Sequence, residues 1–132
     1  MLPLVFCGDF NFKPQSFPYA CITSGRHALD YSSPYVQEHK KYAVTGWRAP
    51  ELAPMTSLYA AVYGAEPAYT NNCVTQFGNS GENPFCETLD YIFANTRVKA
   101  RGALPMPSEG PRLPNEHHPS DHLPVVVDVD IE

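Results

Sequence analysis

Short hydrophobic runs, separated by polar and proline-rich connections, make up most of this chain. The first run extends from Leu2 to Cys7 and has the length of a buried strand, which Gly8 is expected to end. Asp9 and Asn11 follow at once, so this strand is predicted to deliver two polar side chains into a turn. Strand ends of this kind are where α/β enzymes commonly place reacting groups.

A short helix is predicted after this turn from its capping residues. Ser16 is a candidate N-cap, Phe17 and Pro18 suit a first helical turn, and Gly25 suits the C′ position. The pattern therefore predicts a helix between Ser16 and Gly25.

A second helix is predicted from apolar residues at helical spacing. These are Met55, Leu58, Tyr59 and Val62, and Gly64 is placed to end the helix.

Alternation of apolar and polar positions predicts a strand from Glu87 to Ala94. Asp90 shares a face of this strand with Ile92 and Ala94, so its side chain is expected to be buried. A buried carboxylate needs a specific partner, because an unpaired buried charge costs several kcal/mol.

The end of the chain has the same alternation. Val98 is expected to start a short strand, and five prolines between Pro105 and Pro119 argue against regular structure there. From Leu123 to Glu132 the valines form one face and acidic residues the other, which is typical of a half-buried strand. Asp121 and His122 lie directly before it.

Two stretches are predicted to be loops. The first, 26–53, is polar and aromatic without periodicity, with a helical turn expected near Tyr35–His39. His27 and His39 are interpreted there as surface histidines. The second is the glycine-rich and asparagine-rich segment 78–84.

The composition is that of one globular domain. The chain has 132 residues, of which 43% are hydrophobic and 17% charged, enough for a core. The net charge of −5 is unfavourable for nucleic-acid binding through a broad basic surface, but not for a metal site. The four cysteines form no C-x-x-C pair. Since no apolar run approaches the ~20 residues that cross a bilayer, we expect no membrane partner and a soluble protein in the cytoplasm, or alternatively the nucleus.

Five polar residues next to the predicted strands form a chemically coherent set: Asp9, Asn11, Asp90, Asp121 and His122. A histidine held by a buried carboxylate is fixed in orientation, and its cation is favoured. Such a cation can neutralise charge on a pentavalent phosphorus. Nearby carboxylates can hold Mg²⁺ or deprotonate an attacking water. The set is therefore suited to metal-assisted phosphoester hydrolysis.

Each of these residues also has a purely structural interpretation. Asp9 and Asn11 are common turn-formers, Asp121 can be a solvated turn residue, and Asp90 can be a satisfied core carboxylate. The order of all five along the chain is what favours the catalytic interpretation.

That order resembles the endonuclease/exonuclease/phosphatase superfamily, and within it most resembles the carbon catabolite repressor-type deadenylases with their Angel and nocturnin relatives. The resemblance implies a two-sheet α/β sandwich, of which residues 1–132 would be the C-terminal portion of a single domain. The segments that carry it are Gly8-Asp-Phe-Asn-Phe-Lys-Pro14, Glu66-Pro-Ala-Tyr-Thr-Asn71, Thr88-Leu-Asp-Tyr-Ile-Phe93 and Leu113-Pro-Asn-Glu-His-His-Pro-Ser-Asp-His-Leu-Pro124.

The resemblance also implies roles for the polar residues. Asp9 would activate the attacking water, and Asn11 would orient the water or the phosphate. Asp90 would orient His122, and His122 would stabilise the transition state. Asp9 and Asp121 would contribute to a Mg²⁺ site, with Mn²⁺ as an alternative metal.

Two further positions match the substrate cleft of the family. Phe85 matches a position where deadenylases stack a base, a contact worth about 1–3 kcal/mol. Its alternative is a loop aromatic that packs on the core. Asn71 matches another cleft position.

The implied function is a 3′-exoribonuclease that acts on poly(A) RNA and releases nucleotide 5′-monophosphates, with deadenylase-complex proteins as partners. The first half of the family's domain supplies the principal metal-binding glutamate, and Glu87, Glu109 and Glu116 do not match its context. We therefore expect the 132 residues to need that missing half and to be inactive alone. The alternatives are a non-catalytic relic kept for protein contacts, and a phosphodiesterase for a dinucleotide cofactor or a 2′,5′-linked oligonucleotide.

Overall fold

The fold is known from a computed structural model that describes residues 2–25, 53–75 and 83–132. It is a mixed α/β structure, which confirms the predicted fold class and is consistent with part of a larger sandwich. Its elements are β1 (Val5–Asp9), α1 (Phe17–Ser24), β2 (Thr56–Ser57), α2 (Leu58–Tyr63), β3 (Asn71–Thr75), β4 (Asn83–Glu87), β5 (Asp90–Ala94), β6 (Val98–Ala103) and β7 (Val127–Ile131).

The described strands form three small antiparallel sheets. One has the strand order β1-β5-β2, and the other two pair β3 with β4 and β6 with β7. In the first sheet Asp9 lies opposite Asp90 in the register. The carboxyl end of β1 therefore meets the amino end of β5, and the polar side chains do not come from a common set of strand carboxyl ends.

Two predictions for β1 were wrong. Gly8 does not end the strand: it has a φ of 152°, lies opposite Tyr91, and the ladder continues to Asp9. The strand is also exposed rather than buried, since Leu4 is 53% and Phe6 50% exposed. The reason is its place at the edge of the β1-β5-β2 sheet, where the described residues provide no strand on its outer side.

The core lies behind β5 and beside α2. Leu58, Ala94 and Val98 form a fully buried cluster there. Aromatic rings continue the packing along β5, where the rings of Tyr91 and Phe93 stack with centroids 5.3 Å apart. The Tyr91 hydroxyl donates to the carbonyl groups of Phe12 and Thr88 at 2.8 Å each, which ties the turn after β1 to the start of β5.

Both predicted helices are confirmed, with one shift. α1 begins after Ser16 and ends at Gly25, whose φ of 65° is left-handed. α2 ends at Gly64, also left-handed with φ 78°, but it begins only at Leu58 and so excludes Met55. Its start is set by Ser57, whose side chain accepts a hydrogen bond from the Ala60 amide at 3.4 Å.

The last predicted strand is shorter than expected. The strand expected from Leu123 to Glu132 is β7, and it covers only Val127–Ile131. The preceding strand, β6, starts at Val98 as predicted. Leu123 does not join the β6–β7 ladder, because its amide donates to the Thr70 carbonyl at 2.7 Å. Pro124 has no amide to donate. No helix or strand occurs between Pro105 and Pro119, as predicted.

The loop predicted at 26–53, the turn near Tyr35–His39, and His27 and His39 lie outside the described residues, except for residue 53. The second loop was predicted at 78–84, but Asn83 and Pro84 already belong to β4. A proline is tolerated there because β4 has a neighbour on one side only within the described sheet.

Two further observations concern the whole described chain. All four cysteines are free thiols, and Cys7 is exposed on β1. Among residues 2–25, 53–75 and 83–132, no helix has the length and apolar character needed to cross a membrane.

Candidate active site

A cleft of about 520 Å³ opens beside the paired ends of β1 and β5. Gly8 and Asp90 line it from the two strands, and the segment from Ser120 to Val125 closes the opposite wall. Of the predicted polar residues, Asp90 and His122 line this cleft, and Asp9 lies beside His122 because it is opposite Asp90 in the register.

Asp90 and His122 are in direct contact. The Nδ1 atom of the imidazole lies 2.7 Å from the Oδ2 atom of Asp90, although 32 residues separate the two in the chain. Asp90 was expected to be buried, but its side chain is 21% exposed because it faces the open cleft. The expected need for a specific partner is confirmed by this contact.

The two carboxylate oxygens of Asp9 have different neighbours, one in the turn after β1 and one in His122. Its Oδ1 atom accepts the Asn11 amide at 2.9 Å, while its Oδ2 atom lies 3.9 Å from the Nε2 atom of His122. Asn11 is exposed and has a left-handed φ of 53°, a conformation that asparagine tolerates better than most residues. The turn-forming interpretation of Asp9 and Asn11 is therefore correct, and Asp9 also keeps one oxygen for the cleft.

The imidazole of His122 thus lies between two carboxylates. One nitrogen is bonded to Asp90, and the other faces Asp9 across a gap too long for a direct hydrogen bond. The ring is 26% exposed, so this gap is accessible from the cleft. The arrangement can accommodate a small polar group, such as a water or a phosphoryl oxygen, between Nε2 and Asp9.

Asn71 belongs to the site through Asp121. Its side chain is buried, only 3% of the residue being exposed, and its Nδ2 atom lies 3.4 Å from the Oδ2 atom of Asp121. The backbones of Asn71 and His122 also form an isolated antiparallel bridge. The Oδ1 atom of Asn71 is buried without a hydrogen-bond partner among the described residues, which leaves one oxygen acceptor next to Asp121 unused.

Phe85 lies apart from the contacts that join Asp9, Asp90 and His122. It lies in β4 opposite Cys73 and is half-buried, and none of the contacts that join the other site residues includes it. Its proposed stacking role therefore stays a prediction.

The pKa of His122 is raised above its ordinary value of 6.5. Burial alone would lower it, but the hydrogen bond that His122 donates to Asp90 and the charges of Asp90, Asp121 and Asp9 together outweigh burial. The protonated ring is thereby more favoured than in a free imidazole, and its Nε2–H can point into the gap toward Asp9.

This shift predicts a pH dependence of stability. Because the folded-state pKa of His122 lies above the unfolded value, its stabilising contribution is complete below about pH 6.5 and is lost as pH rises through the folded pKa. The free energy of unfolding should therefore exceed that of a His122→Gln variant by an amount that shrinks as pH rises. Urea titrations of both proteins between about pH 5 and about pH 9 measure this difference. A difference that is constant or grows with pH would contradict the prediction.

The donor atoms suit a hard cation but do not complete a site. Asp9, Asp121 and the unused Asn71 oxygen are oxygen ligands of the kind that Mg²⁺ prefers. Yet in the part of the chain that the structure describes, no three His, Cys, Asp or Glu side chains are grouped so as to hold a metal ion. The fit is partial: the chemistry of the donors is right and their number is too small.

Thr70 is part of the site and was not identified from the sequence. It is completely buried, and its hydroxyl lies 2.6 Å from the Oδ2 atom of Asp90. The only signal was its place within the motif that ends at Asn71, because its contact with Asp90 depends on how β5 packs. The hydroxyl of Ser120 accepts the His122 amide at 3.0 Å and so shapes the turn that carries the histidine.

The chain is similar to one protein family and to several known proteins. A family model described as the endonuclease/exonuclease/phosphatase family matches residues 2–122. The chain is 30% identical to mouse 2′,5′-phosphodiesterase 12 over 97% of its own length, and 33% identical to carbon catabolite repressor protein 4 homolog 4 of Arabidopsis thaliana, also over 97%. It is 32% identical to nocturnin of Xenopus laevis over 96%. The chain spans only 19% to 27% of the length of these relatives.

Proposed function

The chain belongs to the endonuclease/exonuclease/phosphatase family, and from this premise we propose that it carries part of the active site of a metal-dependent phosphodiesterase that degrades RNA from the 3′ end. The observation that carries the proposal is the placement of the His122 ring, bonded to Asp90 at 2.7 Å and facing Asp9 at 3.9 Å. Relatives named for carbon catabolite repression and as nocturnin support the assignment to deadenylase-like enzymes.

The chemistry of the site residues follows from their geometry. Water adds to phosphorus and passes its proton to the Asp9 carboxylate, while the P–O bond to the 3′ oxygen of the shortened RNA breaks. That oxygen takes a proton from solvent, and a nucleotide 5′-monophosphate is released. Asn11, on the turn that Asp9 holds, would orient the water or the phosphate.

His122 stabilises charge rather than forming a bond. Its protonated Nε2 donates to a phosphoryl oxygen as negative charge develops there, and such a fixed donor is most effective in a site that is already organised. Asp90 keeps the ring in place through Nδ1, so no reorganisation is needed during the reaction.

We assign Mg²⁺ to this site, with Mn²⁺ as the alternative. Asp9 and Asp121 would hold it, and the remaining ligands would come from chain outside these 132 residues, since the described donors are incomplete. When bound, the ion supplies a Lewis acid that neutralises phosphoryl charge and lowers the pKa of water. The partners in this proposal are poly(A) RNA, the other half of the domain and proteins of a deadenylase complex, in the cytoplasm or alternatively the nucleus.

A second substrate class is favoured by a specific comparison. The mouse relative with 30% identity is named as a 2′,5′-phosphodiesterase, and the site residues act on the phosphate rather than on the sugar position that leaves. A 2′,5′-linked oligonucleotide is therefore the alternative substrate, and a dinucleotide cofactor is another. Analysis of the products formed from poly(A), 2′,5′-linked adenylate and the dinucleotide cofactors NAD and NADP separates these possibilities.

The test compares the 132-residue chain with a polypeptide in which the same chain follows the N-terminal half of the family's domain, called the complete polypeptide below. Each is incubated with poly(A) and Mg²⁺, beside its own His122→Ala variant. We expect the complete polypeptide to release adenosine 5′-monophosphate, and the isolated chain to give no more hydrolysis than its variant. Robust Mg²⁺-dependent activity of the isolated chain would refute the need for further ligands. A complete polypeptide inactive on all these substrates would refute the enzyme and favour a non-catalytic interaction module.

A further inference from the structure

Thr70 lies at the meeting point of the two segments that form the Asp90–His122 pair. No part of it is exposed, and it precedes β3 by one residue. Its side chain contacts the start of β5, whereas its backbone contacts the segment that follows His122. A single residue therefore touches Asp90 and the residue directly after His122, although the two members of the pair are 32 residues apart in the chain.

The hydroxyl of Thr70 has all its hydrogen-bonding capacity committed. It accepts the amides of Leu89 at 2.9 Å and Asp90 at 3.1 Å. A hydroxyl has one proton and two acceptor lone pairs, so with both lone pairs engaged the proton has one direction left. That direction is the Oδ2 atom of Asp90, at 2.6 Å.

The oxygen that receives this proton is the one that holds His122. Oδ2 of Asp90 is bonded to the hydroxyl of Thr70 and to Nδ1 of His122 at 2.7 Å. Two donors on one oxygen restrict the rotation of the carboxylate, and through it the plane of the imidazole. Without the hydroxyl, the Asp90 carboxylate keeps its contact with His122. It loses the hydrogen bond from Thr70, whose hydroxyl also accepts the backbone amide of Asp90.

The backbone of Thr70 fixes the other side. Its carbonyl accepts the amide of Leu123 at 2.7 Å, directly after His122, and the neighbouring Asn71 forms the backbone bridge to His122 itself. The buried Thr70 thus holds the Asp90 carboxylate through its side chain and the segment next to His122 through its backbone.

We propose that Thr70 is a positioning residue of the phosphodiesterase, acting through Asp90 to set the orientation of the His122 ring. This inference rests on the proposed function. Thr70 does not reach the cleft, so it does not touch substrate, and its effect is on the rate of the chemical step rather than on binding.

The test uses Thr70→Val, which keeps the shape and removes the hydroxyl, and Thr70→Ser, which restores it. In the complete polypeptide we expect Thr70→Val to lower kcat about 10–100-fold with KM nearly unchanged, as for loss of a supporting contact around a reacting group. Thr70→Ser should recover most of the rate. In a His122→Ala background, Thr70→Val should have almost no further effect, because the residue acts through the histidine.

Thr88→Val is the matched control. Thr88 is also buried, and its hydroxyl donates to the Pro67 carbonyl at 2.6 Å without touching Asp90 or His122. It is expected to lower stability but to change kcat little. Equal losses of kcat from Thr88→Val and Thr70→Val, or equal effects of Thr70→Val with and without His122, would overturn the proposal in favour of a general structural role.

A readout independent of activity separates this inference from the proposed function. The Nδ1–H proton of His122 gives a downfield resonance in ¹H NMR when it is bonded to a carboxylate. Thr70→Val should shift or broaden that resonance, while Thr70→Ser and Thr88→Val preserve it. If Thr70→Val does not fold, Thr70→Cys, with a weaker donor, replaces it and should shift the resonance in the same direction. An unchanged resonance in the folded variant would refute the positioning role even where the enzyme is active.

Discussion

Replacing Asp9 by Asn is expected to lower phosphodiesterase activity by about 10²–10⁴-fold, the range for loss of a general base. The substitution removes the charge that accepts the proton of water, but an Asn oxygen can still accept the Asn11 amide that Asp9 accepts at 2.9 Å. The turn should therefore survive, and the loss should fall on the reaction rather than on the fold. Steady-state kinetics of the complete polypeptide with poly(A) measure the effect.

Asp128→Asn is the control for this experiment. Asp128 is an exposed carboxylate on β7, in a different sheet, and its replacement changes the net charge by the same amount. We expect its activity to stay within about 2-fold of the unmodified protein, as for surface substitutions remote from a site. A loss of activity in Asp9→Asn no greater than in Asp128→Asn would show that Asp9 is only a turn-former.

Replacing Asp90 by Asn is expected to lower activity by about 10²–10³-fold, the range for loss of one fixed donor to developing charge. Asp90 carries the contact that raises the pKa of His122 against the opposing effect of burial. Without the negative charge, the pKa of His122 is expected to fall, so that the protonated ring that donates to the phosphoryl oxygen is less favoured.

Asp90→Asn also has a predicted effect on stability, which Asp9→Asn lacks. Two hydrogen bonds to a charged oxygen, from Thr70 and His122, become bonds to a neutral one. The free energy of unfolding should fall by about 1–3 kcal/mol, measured by urea denaturation near pH 6. Full activity together with unchanged stability would contradict both the orienting role and the hydrogen-bond geometry.

Much of the local structure was predictable because it depends on neighbouring residues. The bounds of α1 follow from Ser16 before it and a left-handed Gly25 after it, which act within one helical turn. The alternation around Asp90 likewise predicted the strand β5. Where tertiary contacts intervened, the prediction was wrong: Met55 was excluded from α2, and Leu123 was taken out of β7 by its bond to Thr70.

The candidate site was likewise predictable in part. The residue types and their order predicted phosphoester chemistry, and the pairing of Asp90 with His122 was expected from that order and is confirmed. Neither the 3.9 Å gap to Asp9 nor the contact of Thr70 with Asp90 was predictable. The gap depends on the antiparallel register that places Asp9 opposite Asp90, and the Thr70 contact depends on how the start of β5 packs against the residue before β3; nothing within these segments specifies either arrangement.

The sequence alone therefore determined the family, the short elements with local capping or alternation, and the set of candidate site residues. The tertiary structure alone decided which oxygens of Asp9 and Asp90 lie toward His122, that Thr70 contacts Asp90, and that β1 is an exposed edge strand rather than a buried one. The physical reason is the range of the interactions. Caps and alternation are satisfied within a few residues, whereas burial and side-chain pairing depend on segments that lie tens of residues apart and meet only in the folded chain.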